Sequence, residues 1–134
     1  MLAFAEKLIK HHEGFREKVY LCTAGKSTVG YGRNLDDVGI SREEGEHLLL
    51  NDINRVVEDL QGFPWFKGLS QSRQAALVDM RYCLGGTGFR KFYKMIAALE
   101  AGDYLEAAEQ ILDSKFAGDV GQRAIDLHDL MVAG

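Results

Sequence analysis

The chain has 134 residues, of which 46% are hydrophobic and 27% are charged, and its formal net charge is −4. This length suits one compact domain and is too short for a separate substrate-binding module. The negative charge argues against a partner held through its phosphates, so we expect no nucleic acid to bind. The two cysteines, Cys22 and Cys83, do not make a disulfide framework, which favours a reducing compartment.

The N-terminal segment is predicted to be a helix over residues 2–13. Its apolar side chains at Leu2, Ala5, Leu8 and Ile9 are spaced for one helical face, and Gly14 is expected to end the helix. The segment lacks a basic n-region and an uninterrupted apolar run, so we expect neither a signal peptide nor insertion into a membrane.

Strand-like residues are confined to positions 18–35, where β-branched and aromatic side chains are interrupted by glycines. This pattern predicts a hairpin or three short strands. Ser41 and Glu44 then form a capping box, which predicts a long helix whose apolar residues recur at helical spacing up to Gly62.

The second half of the sequence is predicted to be helical after Pro64, the only proline. Helices are expected over residues 71–84, 89–101, 104–114 and 122–132. The pattern predicts a single α+β domain over residues 1–134. Its small N-terminal lobe (helix 1–12 and about 13–60) carries a short antiparallel sheet and is joined by one long helix to a helical lobe (about 64–134), with any cleft between the two.

Three reactive side chains lie close together in the sequence. Eight residues separate Glu13 from Cys22, and five separate Cys22 from Thr28. This order resembles the catalytic signature of the phage-type lysozymes, the endolysins of glycoside hydrolase family 24, in which the middle residue is Asp or Cys. Further matches in the same order extend the resemblance over nearly the whole chain, at residues 28–32, 37–41, 75–78, 84–85, 101–104 and 106–108.

The resemblance implies a lysozyme-like fold and a bacteriolytic muramidase. Such an enzyme hydrolyses the β-1,4 bond between N-acetylmuramic acid and N-acetylglucosamine in peptidoglycan during host-cell lysis, without a cofactor. It also implies a monomer made in the host cytoplasm, released through a holin-type membrane pore and acting on the cell wall in the periplasm.

Each residue of the triad has a chemical role in cleaving a glycosidic bond, which needs a proton donor and a group that delivers the attack. Glu13 is the candidate general acid and must be partly desolvated to keep its proton near neutral pH. Cys22 is the candidate base or nucleophile, and Thr28 is suited to hold the attacking water beside it. Cys22 as a small buried hydrophobe is the competing interpretation.

The resemblance also implies residues that contact the sugar chain. These are Gly30, Tyr31, Arg33, Tyr82, Cys83 and Arg123. Arg123 matches an arginine that reaches from the helical lobe toward the catalytic Glu13. The family often has His where Arg33 stands, and Asn or Gln where Cys83 stands. Trp65 and Phe66 are instead expected to pack in the core or at a hinge.

Other kinds of site are weakly indicated by the sequence. The four histidines, His11, His12, His47 and His128, have no recognised metal-ligand spacing, so we expect no metal. One of them acting as base for a Cys22 nucleophile would instead make a cell-wall amidase. A lytic transglycosylase that uses Glu13 alone and a non-catalytic glycan-binding or structural module are two further alternatives.

Overall fold

A computed structural model describes residues 1–134, which divide by their contacts into two units, Met1–His47 and Leu48–Gly134. Seven helices and a three-stranded antiparallel sheet confirm the predicted α+β class. The boundary between the units falls within the long helix, so most of that helix belongs to the second unit. The single domain expected from the length stays a prediction.

The first unit contains the sheet and the N-terminal helix. Helix α1 spans Leu2–Glu13 and is followed by β1 (Arg16–Leu21), β2 (Ser27–Gly30) and β3 (Arg33–Asn34), in the sheet order β1-β2-β3. These bounds confirm the predicted helix and the predicted group of short strands. The glycine-rich composition fits the two tight connections that such short strands require.

Helix α1 buries none of its residues. Its spacing correctly predicts a helix, yet Leu2, Leu8 and Ile9 on the apolar face stay 77%, 42% and 52% exposed. Thr28 on the middle strand is the only buried residue of the first unit. The unit is therefore defined by backbone pairing and turns rather than by an apolar core.

The long helix α2 spans Arg42–Leu60 and begins at the predicted capping box. The Ser41 hydroxyl accepts a hydrogen bond from the Glu44 N–H at 3.1 Å, and the Ser41 N–H donates to the Glu44 carboxylate at 2.9 Å. Both groups would otherwise lack partners in the first turn of the helix.

The second unit is helical and holds the whole hydrophobic core. Its remaining helices are α3 (Gln71–Arg90), α4 (Tyr93–Glu100), α5 (Tyr104–Leu112), α6 (Lys115–Val120) and α7 (Gln122–Ala133). The largest fully buried side chains are Leu60, Leu77, Met80, Phe89, Met95, Leu99, Ile111 and Met131. Most of the predicted helices are confirmed within a few residues of their ends.

Two predictions for this unit are wrong. Residues 89–101 do not form one segment, because Phe89 and Arg90 end α3 and α4 begins only at Tyr93. The helix resumes after a kink at Gly85 (φ 78°), since Phe89 is fully buried and holds the last turn of α3 in the core. Helix α6 was not predicted, although Ser114 caps it by accepting from the Ala117 N–H.

Trp65 and Phe66 pack as the sequence predicted. The Trp65 ring stacks on Phe63 with 4.9 Å between centroids, and Phe66 is only 3% exposed within the core. These aromatic rings contribute apolar contact area rather than an open sugar-binding surface.

Candidate active site

The hairpin between β1 and β2 brings Cys22 and Thr28 together. Tyr20 pairs with Thr28 across the two strands, so Thr28 and Cys22 lie on the same face of the sheet. The Lys26 carbonyl accepts from both the Cys22 N–H at 3.0 Å and the Thr28 hydroxyl at 2.8 Å. One backbone oxygen therefore fixes the two residues relative to each other.

The turn that closes this hairpin also acts on the Cys22 sulfur. The backbone N–H groups of Lys26 and Ala24 lower the pKa of the Cys22 thiol against the opposing effect of desolvation. Hydrogen bonds to the charged form favour the thiolate. Cys22 is half-buried and forms no disulfide. The interpretation of Cys22 as a small buried hydrophobe stays an untested alternative.

Glu13 is the last residue of α1, and its side chain lies against the turn that follows β2. A methyl group built on Gly32 would meet the Glu13 Oε2 atom at 2.7 Å and its Cδ atom at 2.9 Å. Gly32 has φ 82°, a conformation that favours glycine. The carboxyl group thus fits against the backbone only because no side chain stands there.

The expected partial desolvation of Glu13 is not found. The residue is exposed, because α1 buries no residue and ends at Glu13 itself.

Tyr31 lies in the same turn and is 45% exposed. Its ring lies 5.1 Å from that of Phe15, and the Lys10 ammonium is 5.5 Å from its centroid. Gly30, beside it, has φ 66°. The turn therefore carries a partly exposed aromatic ring beside Gly32, against which the Glu13 side chain lies. The contact of Tyr31 with sugar stays a prediction.

Arg33 is held by an ion pair within the first unit. Its guanidinium donates to both carboxylate oxygens of Glu44 and, at 3.0 Å, to the Gly39 carbonyl. Arg33 and the Ser41 N–H lower the pKa of Glu44 to about 2. Because most of its donor capacity is used in this way, Arg33 serves the connection between β3 and α2, and its contact with sugar stays a prediction.

The sequence matches the model of one protein family over most of its length. The phage lysozyme family model matches residues 10–126, which include Glu13, Cys22, Thr28 and Arg123. The chain belongs to the phage lysozyme family.

Two relatives of this phage lysozyme are viral proteins. This chain is 33% identical to an endolysin of Acyrthosiphon pisum secondary endosymbiont phage 1 over 120 residues. These residues are 87% of this chain and 80% of the relative. The chain is 26% identical to the pre-baseplate central spike protein Gp5 of Enterobacteria phage T4 over 96% of its own length. The match spans only 27% of the spike protein, which is much the longer of the two.

The other predicted site residues, Tyr82, Cys83 and Arg123, lie in the helical unit. The Arg123 Nε atom donates to the Asp79 carboxylate at 2.7 Å, which together with Tyr82 and Cys83 raises the pKa of Arg123. Tyr82 and Cys83 are exposed and follow Asp79 by one turn of α3. The contact of Arg123 with Glu13 stays a prediction, and the structure gives Arg123 a partner in its own unit.

The structure gathers no set of three or more His, Cys, Asp or Glu side chains that could hold a metal ion. None of the helices combines the length and apolar character needed to cross a bilayer.

Several residues that shape the site escaped the sequence analysis. Gly32 leaves room for the Glu13 side chain, and the Lys26 carbonyl binds both Cys22 and Thr28. Glu44 forms an ion pair with Arg33, and Asp79 forms one with Arg123. Two of these residues, Gly32 and Asp79, could have been found from a pattern in the sequence. A second glycine two residues after Gly30 indicates a backbone that something approaches closely, and Asp79 lies one helical turn before Tyr82 and Cys83.

Proposed function

We propose that this member of the phage lysozyme family hydrolyses the β-1,4 bond between N-acetylmuramic acid and N-acetylglucosamine in peptidoglycan. Glu13 acts as the general acid, and Cys22 and Thr28 deliver the attacking water. The observation that carries this proposal is the shared Lys26 carbonyl, which holds Cys22, directly after β1, and Thr28, on β2, as a pair. The turn after β2 seats the Glu13 carboxyl group.

Thr28 is suited to orient the water. Its only hydroxyl proton is donated to the Lys26 carbonyl, so the oxygen is left as an acceptor. A water beside the half-buried Cys22 donates one proton to Thr28 and turns its other proton toward the sulfur. Direct attack by the sulfur would leave this acceptor without a role.

Cys22 in its thiolate form takes a proton from that water. The N–H groups of the Lys26 turn favour the thiolate, which replaces the carboxylate that an Asp at this position would supply. The water oxygen bonds to the anomeric carbon while the glycosidic C–O bond breaks. Glu13 gives its proton to the departing oxygen, so each proton and electron pair is accounted for.

Two alternative reactions use the same residues. A Cys-dependent amidase requires a histidine beside the nucleophile. The groups that lower the pKa of the Cys22 thiol are backbone N–H groups of the hairpin turn, and no histidine is among them, which favours water delivery. A transglycosylase that needs only Glu13 would leave the Cys22–Thr28 pair without a function, and so would a non-catalytic module.

The phage relatives support a proposal on the biological setting. The related endolysin suggests a role in host-cell lysis, with synthesis in the host cytoplasm and action on the wall in the periplasm. Passage through a holin-type pore and a monomeric enzyme belong to the same proposal.

The products released from purified peptidoglycan test the reaction. Mass spectrometry should find fragments with ordinary reducing N-acetylmuramic acid ends, and NMR of the first turnover should show an inverted anomeric centre. Retention would indicate a covalent thioglycoside on Cys22, and anhydro ends would indicate a transglycosylase. Free peptides without new sugar ends would identify an amidase, and no soluble product would indicate a binding module.

A further inference from the structure

The helical unit contains a cavity that the proposed reaction does not use. It has a volume of about 340 Å³ and lies where α3 passes into α4 and α5 into α6. This volume is at the lower end of the roughly 300–1,000 Å³ typical of small-ligand sites. The cavity is lined by Lys91, Phe92, Tyr93, Lys94, Met95, Gln110, Asp113 and Ser114.

The walls of the cavity are partly apolar. Met95 is fully buried and forms the apolar part, while the Phe92 ring packs edge-on against Phe116 at 6.2 Å. The Ser114 hydroxyl is already bonded to the Ile111 carbonyl at 2.7 Å. Tyr93 is different, because it is 75% exposed and leaves an aromatic face open at the rim.

The charged groups of the cavity have no partners within the protein. Lys91 and Lys94 take part in none of the ion pairs of the structure, and neither does Asp113 opposite them. By contrast, Arg81, Arg90 and Arg123 in the same unit are all bound to carboxylates. In a chain of net charge −4, two unpaired lysines beside one cavity form a local positive site.

We propose that this cavity is an accessory site for the carboxylate-bearing stem peptides of peptidoglycan. The glycan strand itself is neutral, because each muramic carboxyl group that carries a peptide is an amide. Carboxylates and a free amine are found on the peptides. Lys91 and Lys94 suit the carboxylates, Asp113 suits the amine, and Tyr93 covers the peptide between them.

This site rests on the proposed function for its substrate, but it is separate from the hydrolytic chemistry. Its loss should weaken attachment to peptide-bearing wall and leave the cleavage of bare glycan strands unchanged. Removing both lysine charges in K91Q/K94Q should raise KM on intact peptidoglycan about three- to tenfold, the range expected for two exposed charged contacts. On strands stripped of peptide by an amidase, kcat and KM should stay at wild-type values.

The matched control is K7Q/K67Q, which removes two exposed lysine charges that belong to no ion pair and do not line the cavity. It should behave as wild type on both substrates. An equal rise in KM for the control, or no rise for K91Q/K94Q, would overturn the proposal. Failure of every variant and of wild type on bare glycan would instead refute the proposed hydrolysis.

A binding measurement identifies the ligand directly. In ¹⁵N-resolved NMR spectra, the tripeptide alanyl-γ-glutamyl-diaminopimelate should shift the amide resonances of Lys91, Tyr93 and Asp113, and K91Q/K94Q should abolish these shifts. Chitotetraose, a neutral sugar chain, should leave the three resonances in place. Shifts caused by chitotetraose instead of the tripeptide would make this a sugar site, and no shift with either probe would remove the site.

Discussion

The two units of the protein differ in the interactions that stabilise each of them. The helical unit contains every buried hydrophobic side chain of the core, whereas Thr28 alone is buried in residues 1–47. The triad lies in the unit without a core, where hairpin pairing, glycine turns and one capping box set the positions of the side chains. Substitutions should therefore separate into those that change catalysis and those that change stability.

Glu13→Gln is expected to give the largest effect. The amide keeps the shape of the side chain against Gly32 but donates no proton, and general-acid catalysis is typically worth about 10²–10⁴ in rate. The rate of wall hydrolysis should fall by that factor, while Tm stays within a degree or so because Glu13 is exposed. Residual activity above a tenth of wild type would remove Glu13 from the catalytic role.

Phe89→Ala should have the opposite signature. Phe89 is fully buried, and truncating such a residue typically costs about 3–5 kcal/mol of the free energy of unfolding. Urea unfolding should show this loss, while the specific activity of the folded fraction is retained. Leu105→Ala is the control, since Leu105 is 64% exposed and should change stability by less than about 0.5 kcal/mol. Equal losses for the two variants would contradict the assignment of the core.

The Cys22 thiol is expected to make the activity depend on pH. The pKa of its thiol is lowered, and a base must be deprotonated to act, so activity should fall as the pH drops through that pKa. Cys22→Asp should keep substantial activity and move this acid limb to lower pH, because a carboxyl group ionises near about pH 3.9. Cys22→Ala and alkylation should remove most activity.

The pH profiles of wild type and Cys22→Asp provide the measurement. An unchanged acid limb in Cys22→Asp would show that another group sets it. Full activity of Cys22→Ala would mean that Cys22 only packs and that Glu13 acts with ordered water alone.

Gly32→Ala tests positioning in the first unit without touching a reactive group. The added methyl group must displace the Glu13 carboxyl end, so activity should fall about tenfold, in keeping with the cost of misplaced catalytic groups. Gly39→Ala is the matched control, because Gly39 also has a positive φ, 64°, but a methyl group there meets nothing within 4 Å. Both variants should lose similar stability, and equal activities would contradict the role of Gly32.

Asp59→Asn should produce a smaller loss of stability in the helical unit. Asp59 binds Arg81 and Arg90, on either side of the kink in α3, and these arginines lower its pKa to about 2. An unfolded Asp has a pKa of about 3.9, so the contribution of the pair is present above pH 4 or so and is lost as the pH falls toward about 2.

Thermal unfolding measured from neutral to acid pH checks this prediction. At neutral pH the variant should be less stable by about 1–2 kcal/mol, and the difference from wild type should shrink toward about pH 2. Asp52→Asn removes a more exposed pair with Arg55 and should cost less than about 1 kcal/mol. A difference between wild type and Asp59→Asn that does not depend on pH would refute the ion pair as its source.

Local patterns predicted much of this molecule. The spacing of apolar residues located most helices, and Ser41 with Glu44 located the start of α2, because caps act within one turn. The pair Gly85-Gly86 correctly marked a break in α3, where Gly85 has φ 78°, but the pattern did not show that a further helical turn with the buried Phe89 continues to Arg90. Periodicity also could not reveal that the apolar face of α1 stays exposed.

The membership of the candidate site stays a prediction, and the sequence indicated the contacts of these residues less well than their identity. The spacing of Glu13, Cys22 and Thr28 indicated the triad, because all three residues lie within one short stretch of the chain. The partners of Arg33 and Arg123 depend on which carboxylate reaches each guanidinium after folding. Neither Glu44 nor Asp79 could be assigned to its arginine from sequence distance alone.

Glu44 links the formation of the first turn of α2 to the docking of β3. The same carboxyl group completes the first turn of α2 through the Ser41 N–H and binds Arg33 on β3. The first turn of a helix is the costly part of its formation, since several residues are fixed before the hydrogen bonds accumulate. With Glu44 shared, nucleation of the helix and docking of the last strand stabilise each other, so each is expected to form slowly without the other.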